Sequence, residues 1–221
     1  MNGDLYFRYP ILDFSYWRRL ARRVGRNIFE IVLSVSAIVM LFSDVPDLIL
    51  IGAVLFAYTI YSFGRRIFQS KPSNKFKGGN LADFTTKKSK KIILVAYDRS
   101  AFLGGSFLLH LTRELVELPI VIRVLKGLDV SRDEFVSKLE FYISDETNVK
   151  ETNIWRQAKI EELMIAALVA QSDEKKPIQP FHLFLALPET QNERVQRLFN
   201  LFGLNPAKLE KAARYHNIIN S

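Results

Sequence analysis

The stretch Leu94-Val95-Ala96 recurs as Leu168-Val169-Ala170, and the residues that follow stay in register at a constant offset of 74. At that offset Phe107, Leu109 and Leu111 match Phe181, Leu183 and Leu185, and Val121 and Arg123 match Val195 and Arg197. Apolar Val124, Leu125, Val130 and Phe135 likewise face apolar Leu198, Phe199, Leu204 and Leu209. Identity is low, but the apolar skeleton repeats. Duplicated units stack because one copy alone cannot bury its own hydrophobic face, so the pattern points to a binding scaffold before it points to an enzyme. Apolar residues from Ile92 to Tyr142 fall at spacings of three and four, the signature of helices packed on a core. Gly104-Gly105, Pro119, Pro177, Pro180, Pro188 and Pro206 cut the pattern into short pieces. Ser131 and Asn205 stand where N-caps are wanted, and Pro206 suits a first helical turn. The reading is an all-α domain over residues 84–221 of about eight helices, four per repeat.

Working toward the N-terminus, Ile28 to Ser43 and Leu48 to Phe63 are almost wholly apolar, broken only by Glu30 and by the turn Asp44-Val45-Pro46-Asp47. This predicts a two-helix transmembrane hairpin over 27–66, although each run is short of the roughly 20 residues that cross a bilayer core. The alternative is a hairpin buried in a soluble core. Arg18, Arg19, Arg22, Arg23 and Arg26 precede the first run, Arg65 and Arg66 follow the second, and the turn carries only aspartates. The positive-inside rule then predicts a multi-pass cell (inner) membrane protein with both the N-terminus and the C-terminal domain cytoplasmic. Residues 1–26 read as a basic aromatic juxtamembrane segment, with Tyr6, Phe7, Tyr9, Phe14 and Tyr16 suited to the headgroup layer. Trp17, Arg18, Arg19, Arg22, Arg23, Arg65 and Arg66 are the candidate membrane-interface residues, and membrane lipid is the expected partner there. Ala53 and Ala57 are placed to let the second helix approach Ser34 or Ala37.

The net charge of +8 raises the question of nucleic acid, which the location of the charge answers. Residues 1–91 hold 15 Lys and Arg against 6 Asp and Glu, and residues 92–221 hold 16 against 17. The surplus lies around the apolar runs and the linker, so no nucleic-acid partner is expected. There is no cysteine, hence no disulfide framework and no thiolate metal site. Residues 67–83 read as a flexible linker rich in Ser, Pro, Asn, Lys and Gly, ahead of the run Lys87-Lys88-Ser89-Lys90-Lys91.

The second repeat resembles the Clp N-terminal repeat (Clp R) domain of Clp-type unfoldases. The resemblance rests on Ala166 and Ala170, then Ile178, then Phe181-His182-Leu183-Phe184-Leu185-Ala186-Leu187, then Val195, Leu198, Phe199, Phe202-Gly203-Leu204-Asn205-Pro206 and Leu209. Phe84-Thr85 is similar to the Phe-Thr that opens the family's first helix. The first repeat departs from the pattern. Gly104 stands where the isoleucine is expected, Phe107-Leu108 replaces Glu-His, and Leu128-Asp129-Val130 lacks the turn glycine; in the second repeat Phe181 replaces the glutamate. The resemblance implies a pseudo-duplicated eight-helix domain that docks protein substrates or adaptors for a Clp-type ATPase and its protease. Phe102 and Phe202, apolar residues at repeat edges, are the candidate protein-binding positions.

A search for chemistry returns little. No phosphate-binding loop follows Gly78-Gly79, and His110, His182 and His216 show no metal-ligand spacing. Ser100 and Ser106 lie near Asp98 and His110, but no nucleophile elbow frames either serine. Neither enzyme activity nor a cofactor is expected. Three readings follow: a membrane-anchored, non-catalytic docking module for a Clp-type unfoldase; the N-terminal portion of a membrane-bound Clp protease ATP-binding subunit; or a structural membrane protein that self-associates into a homo-oligomer.

Overall fold

The computed structural model describes residues 5–13, 16–68, 79–146, 148, 151–171 and 176–215. The chain divides into two compact units, one made of residues 1–12 and 72–221 and the other of residues 13–71. The smaller unit is therefore inserted into the larger. Most of the expected linker, residues 69–78, lies outside the described residues, as does His216.

The smaller unit is a hairpin of α1 (Tyr16–Leu41) and α2 (Pro46–Phe68). Ser43 closes the turn by accepting the Val45 amide on its hydroxyl at 3.3 Å. Pro46 then opens α2, with Asp47 in its first turn, where fixed φ and a negative charge both favour a helix start. Two polar side chains on the helices are satisfied within their own turns, Ser34 on the Glu30 carbonyl at 2.7 Å and Thr59 on the Leu55 carbonyl at 2.9 Å.

The helices meet at Gly52 and Ala37, both buried. A Cβ added at Gly52 would lie 2.9 Å from the Ala37 carbonyl oxygen, the Leu41 amide nitrogen and the Met40 Cβ. The expected close-approach residues Ala53 and Ala57 instead face outward, one residue out of phase with the seam.

Among the described residues no helix is long and apolar enough to cross a membrane. This corrects the expectation of a multi-pass inner-membrane hairpin. In α1 the uncharged stretch from Ile31 to Leu41 is about 17 Å of helix, against about 30 Å of hydrocarbon. Trp17 and Arg18 are exposed and Arg19 is buried, while the side chains of Arg22, Arg23, Arg65 and Arg66 lie outside the described set.

The larger unit is all helical: α3 (Lys87–Leu103), α4 (Phe107–Val116), α5 (Pro119–Gly127), α6 (Arg132–Asp145), α7 (Asn153–Ala170), α8 (Pro180–Ala186), α9 (Glu193–Leu201) and α10 (Pro206–Tyr215). The offset of 74 recurs in its hydrogen bonds. Helices α5 and α9 begin and end 74 residues apart, and α6 and α10 begin so. Ser131 accepts the Glu134 amide at 3.4 Å, and its counterpart Asn205 accepts the Lys208 amide at 2.8 Å. The end of α5 is tied by Val130 N–H to the Leu125 carbonyl, and the end of α9 by Leu204 N–H to Phe199, at 2.9 and 2.8 Å. That closure needs a left-handed residue, supplied by Gly203 at φ +62° in one repeat and by Asp129 at φ +56° in the other. The turn missing from the sequence pattern is thus present, made by an aspartate.

The N-terminal segment differs from its expected place in a headgroup layer. Tyr6 donates its amide to Gly79 at 3.2 Å and accepts that of Leu81 at 2.8 Å, forming a bridge with Asn80. The Asn80 side-chain amide accepts from the Arg8 N–H and donates to the Arg8 carbonyl, both at 2.9 Å. Phe7 and Leu12 are buried in the core of the larger unit. Residues 5–12 form a strap, and an aromatic that suits a headgroup layer also suits a core.

Three outcomes are expected. Phe7→Ala or Leu12→Ala lowers the stability of the larger unit by about 2–5 kcal/mol, while Ile11→Ala at an exposed site costs little, in denaturant titrations. Asp129→Gly removes a left-handed Cβ and raises stability by about 1 kcal/mol in the same assay. Gly52→Leu forces the hairpin seam apart and strips hydrogen-exchange protection from the α1 and α2 amides while leaving α3–α10 protected.

Candidate protein-docking groove

Helix α6 carries two kinds of surface. Phe135 and Leu139 are buried on its core stripe, whereas Phe141 lies off that stripe and is 58% exposed. Facing it, the end of α9 leaves Leu201 59% exposed. Between them opens a groove of about 590 Å³ lined by Asp133, Glu134, Ser137, Lys138, Phe141, Leu201 and Phe202.

Its floor is stiff. The Phe202 ring sits 5.2 Å from Phe135, which meets Phe199 edge-on at 5.7 Å, and Phe199 in turn lies 5.4 Å from Phe184. This column of rings carries the groove floor into the core, so an apolar side chain entering it meets a preformed surface. One wall is shaped by Lys138, whose ammonium lies 4.9 Å from the Phe141 ring and 5.5 Å from that of Tyr142. The rim at the start of α6 is acidic, with the carboxylates of Asp133 and Glu134 in its first turn. Behind the rim, Glu117 is bound by Arg113 and by Arg132, which lies 2.5 Å away. Hydrogen bonds from these two guanidinium groups hold the Glu117 carboxyl below the usual range. The arrangement accepts a large apolar group; Asp133 is held by Arg132 at 3.0 Å, so Glu134 is the rim carboxylate that would meet a cation, with Lys138 also in the lining.

Of the two expected binding positions the structure places one here. Phe202 forms the floor, whereas Phe102 stands 64% exposed at the end of α3 and does not line the groove. Phe141, Lys138 and Leu201 escaped the sequence reading. A signal existed for Phe141: it is an aromatic outside the Phe135–Leu139–Tyr142 stripe of its own helix.

His110, Ser100 and Ser106 each make a hydrogen bond within the fold. His110 donates Nε2–H to the Gly104 carbonyl at 2.8 Å, which fixes its tautomer. Ser106 accepts the Asn192 amide at 3.0 Å, and Ser100 donates to the Tyr97 carbonyl at 3.0 Å. No group of three or more His, Cys, Asp or Glu residues among the described residues is placed to hold a metal ion.

No family model, curated protein or solved structure matches this chain.

His182 gives the larger unit a measurable pH response. At the third position of α8 its Nδ1 accepts the Gln179 amide at 3.2 Å, a role that needs the neutral ring. Burial pushes its pKa from 6.5 down to about 4. Between those values the unfolded chain binds more protons than the folded one, so stability is full above pH 6.5 and falls as the pH drops toward 4. The loss from this group alone is about 3 kcal/mol. His182→Gln keeps the cap without titrating, so the difference in stability between wild type and variant is expected to change with pH over that interval and stay constant above it.

Proposed function

We propose that this chain is a non-catalytic protein-docking module that presents client proteins or adaptors to a Clp-type unfoldase. The observation that carries the reading is the α6–α9 groove, an aromatic floor of Phe202 on Phe135 between the exposed side chains of Phe141 and Leu201. Binding energy at protein interfaces concentrates where aromatic anchors fill such preformed hollows, and an acidic rim adds selectivity for basic segments. Two further features support the reading. The helices after the linker keep a duplicated register, as the Clp R pattern in the sequence implies, and Ile178 and His182, two residues that carry the resemblance, hold the structural positions of junction and helix start.

The reaction is one of recognition. A partner segment places an apolar side chain over Phe202, and a neighbouring Arg or Lys lies against Glu134. The unfolding itself belongs to the ATPase of the partner machine.

The test compares wild type with Leu201→Glu, a surface change that leaves the buried aromatic column intact. Peptide arrays are expected to give binding to segments that pair Phe or Leu with Arg or Lys, weakened about tenfold or more in the variant. Affinity purification of the full chain is expected to recover a Clp-type ATPase, its protease or defined clients with wild type and to lose them with the variant. Equal recovery by both chains overturns the groove as the docking site.

A further inference from the structure

The hairpin buries one seam and leaves the rest of its apolar surface uncovered. Phe29, Val32 and Val39 on α1 and Leu50, Val54 and Tyr61 on α2 are all exposed. A broad apolar helix face is stable only when another element covers it, and the hairpin unit contains no third helix among its described residues. Charge says what that partner is. One end of the hairpin carries Arg18, Arg19, Arg22, Arg23 and Arg26 from α1 and Arg65 and Arg66 from α2, while the turn end carries Asp44 and Asp47 with no basic residue beside them.

We propose that a second copy of this chain covers the hairpin, antiparallel to the first, so that two hairpins form a four-helix bundle. A parallel pair would bring the two arginine-rich ends together; the antiparallel pair brings each acidic turn to the partner's arginine-rich end. The shape of the hairpin agrees. A groove of about 660 Å³ opens between α1 and α2 in the arginine half, walled by Phe29, Leu33 and Tyr58 with Glu30 at its edge. At the other end Phe42 is 86% exposed. Rotation about a two-fold axis near residue 36 carries Phe42 to the level of Glu30 and Asp44 to the level of Ile28, within one turn of Arg26. Each copy thus offers the knob that the other's groove receives, the self-complementarity a two-fold interface requires. The inference is independent of the docking groove on the larger unit.

The chain has no cysteine, so single cysteines report the arrangement in the full-length protein. Val45→Cys and Asn27→Cys chains, mixed and oxidised, are expected to form the mixed disulfide, while each chain alone forms little or none. Sedimentation of the uncrosslinked chain is expected to show a dimer whose dissociation constant rises about tenfold or more with Asp44→Lys combined with Asp47→Lys and also rises with salt. Same-site disulfides in each chain alone would indicate a parallel pair and overturn the proposal. So would a monomer at tens of micromolar, or a monomer that floats with phosphatidylcholine vesicles and gives no mixed disulfide, which would assign the apolar surface to lipid.

Discussion

The larger unit depends on one main-chain clasp. Ile178, just before α8, donates its amide to the Phe84 carbonyl at 2.8 Å, and its own carbonyl accepts the Thr86 amide at 3.1 Å and the buried Ser89 hydroxyl at 3.0 Å. These bonds join the α7–α8 junction of the second repeat to the start of α3, whose N-cap is Thr86. Without the second repeat, the Phe84 carbonyl would lose the bond from Ile178, at about 1–3 kcal/mol if left buried and unpaired, and the Ser89 hydroxyl would keep only its bond with the Thr86 hydroxyl. The strap enters at the same place, since Tyr6 and Arg8 bind Gly79, Asn80 and Leu81 immediately upstream of Phe84. Both repeats and the N-terminus therefore converge on residues 79–89.

The corresponding junction of the first repeat is built from other chemistry, and this accounts for its divergence. Gly104 occupies the position of Ile178 at the offset of 74, with φ +80° and ψ −171°, a region open to glycine and closed to an isoleucine. No main-chain clasp forms there. Instead the Ser106 and Phe107 amides at the start of α4 are received by the carboxylates of Glu146 and Glu151, at 3.2 and 2.9 Å. Negative charge at a helix N-terminus is favoured. Burial nevertheless pushes the Glu146 carboxyl up, and Arg194, 2.8 Å away, opposes that shift. Side chains thus do at one junction what the main chain does at the other, so the motif residues change while the helices α5, α6, α9 and α10 keep their register.

This contrast also explains what was legible. The helices, their caps at Ser131 and Asn205 and the register of the repeats follow from apolar spacing and turn chemistry, which are local. The left-handed turn at Asp129 was hidden because the pattern asks for glycine, and aspartate meets the same backbone demand at some cost. The fate of Phe7 was hidden for a different reason. A basic aromatic segment has the same composition whether its rings meet lipid or a core, and only the long-range bonds to residues 79–81 decide between them. The groove was half legible: Phe202 stands in the repeat motif, but Phe141 and Leu201 acquire their meaning only where α6 and α9 meet.

The hairpin answers to a constraint of its own. A seam at Gly52 brings two backbones so close that no side chain fits between them, which fixes the phase of each helix and hence which residues face away. Because that seam is narrow, it hides Ala37 and Gly52 but not the larger residues on either side; Ile38 and Ile51, each adjacent to a seam residue, are both exposed. Close approach of small residues stabilises the pair through dispersion between backbones, yet it removes little large apolar surface from water. A tight seam and an uncovered exterior are therefore two results of the same choice of residues.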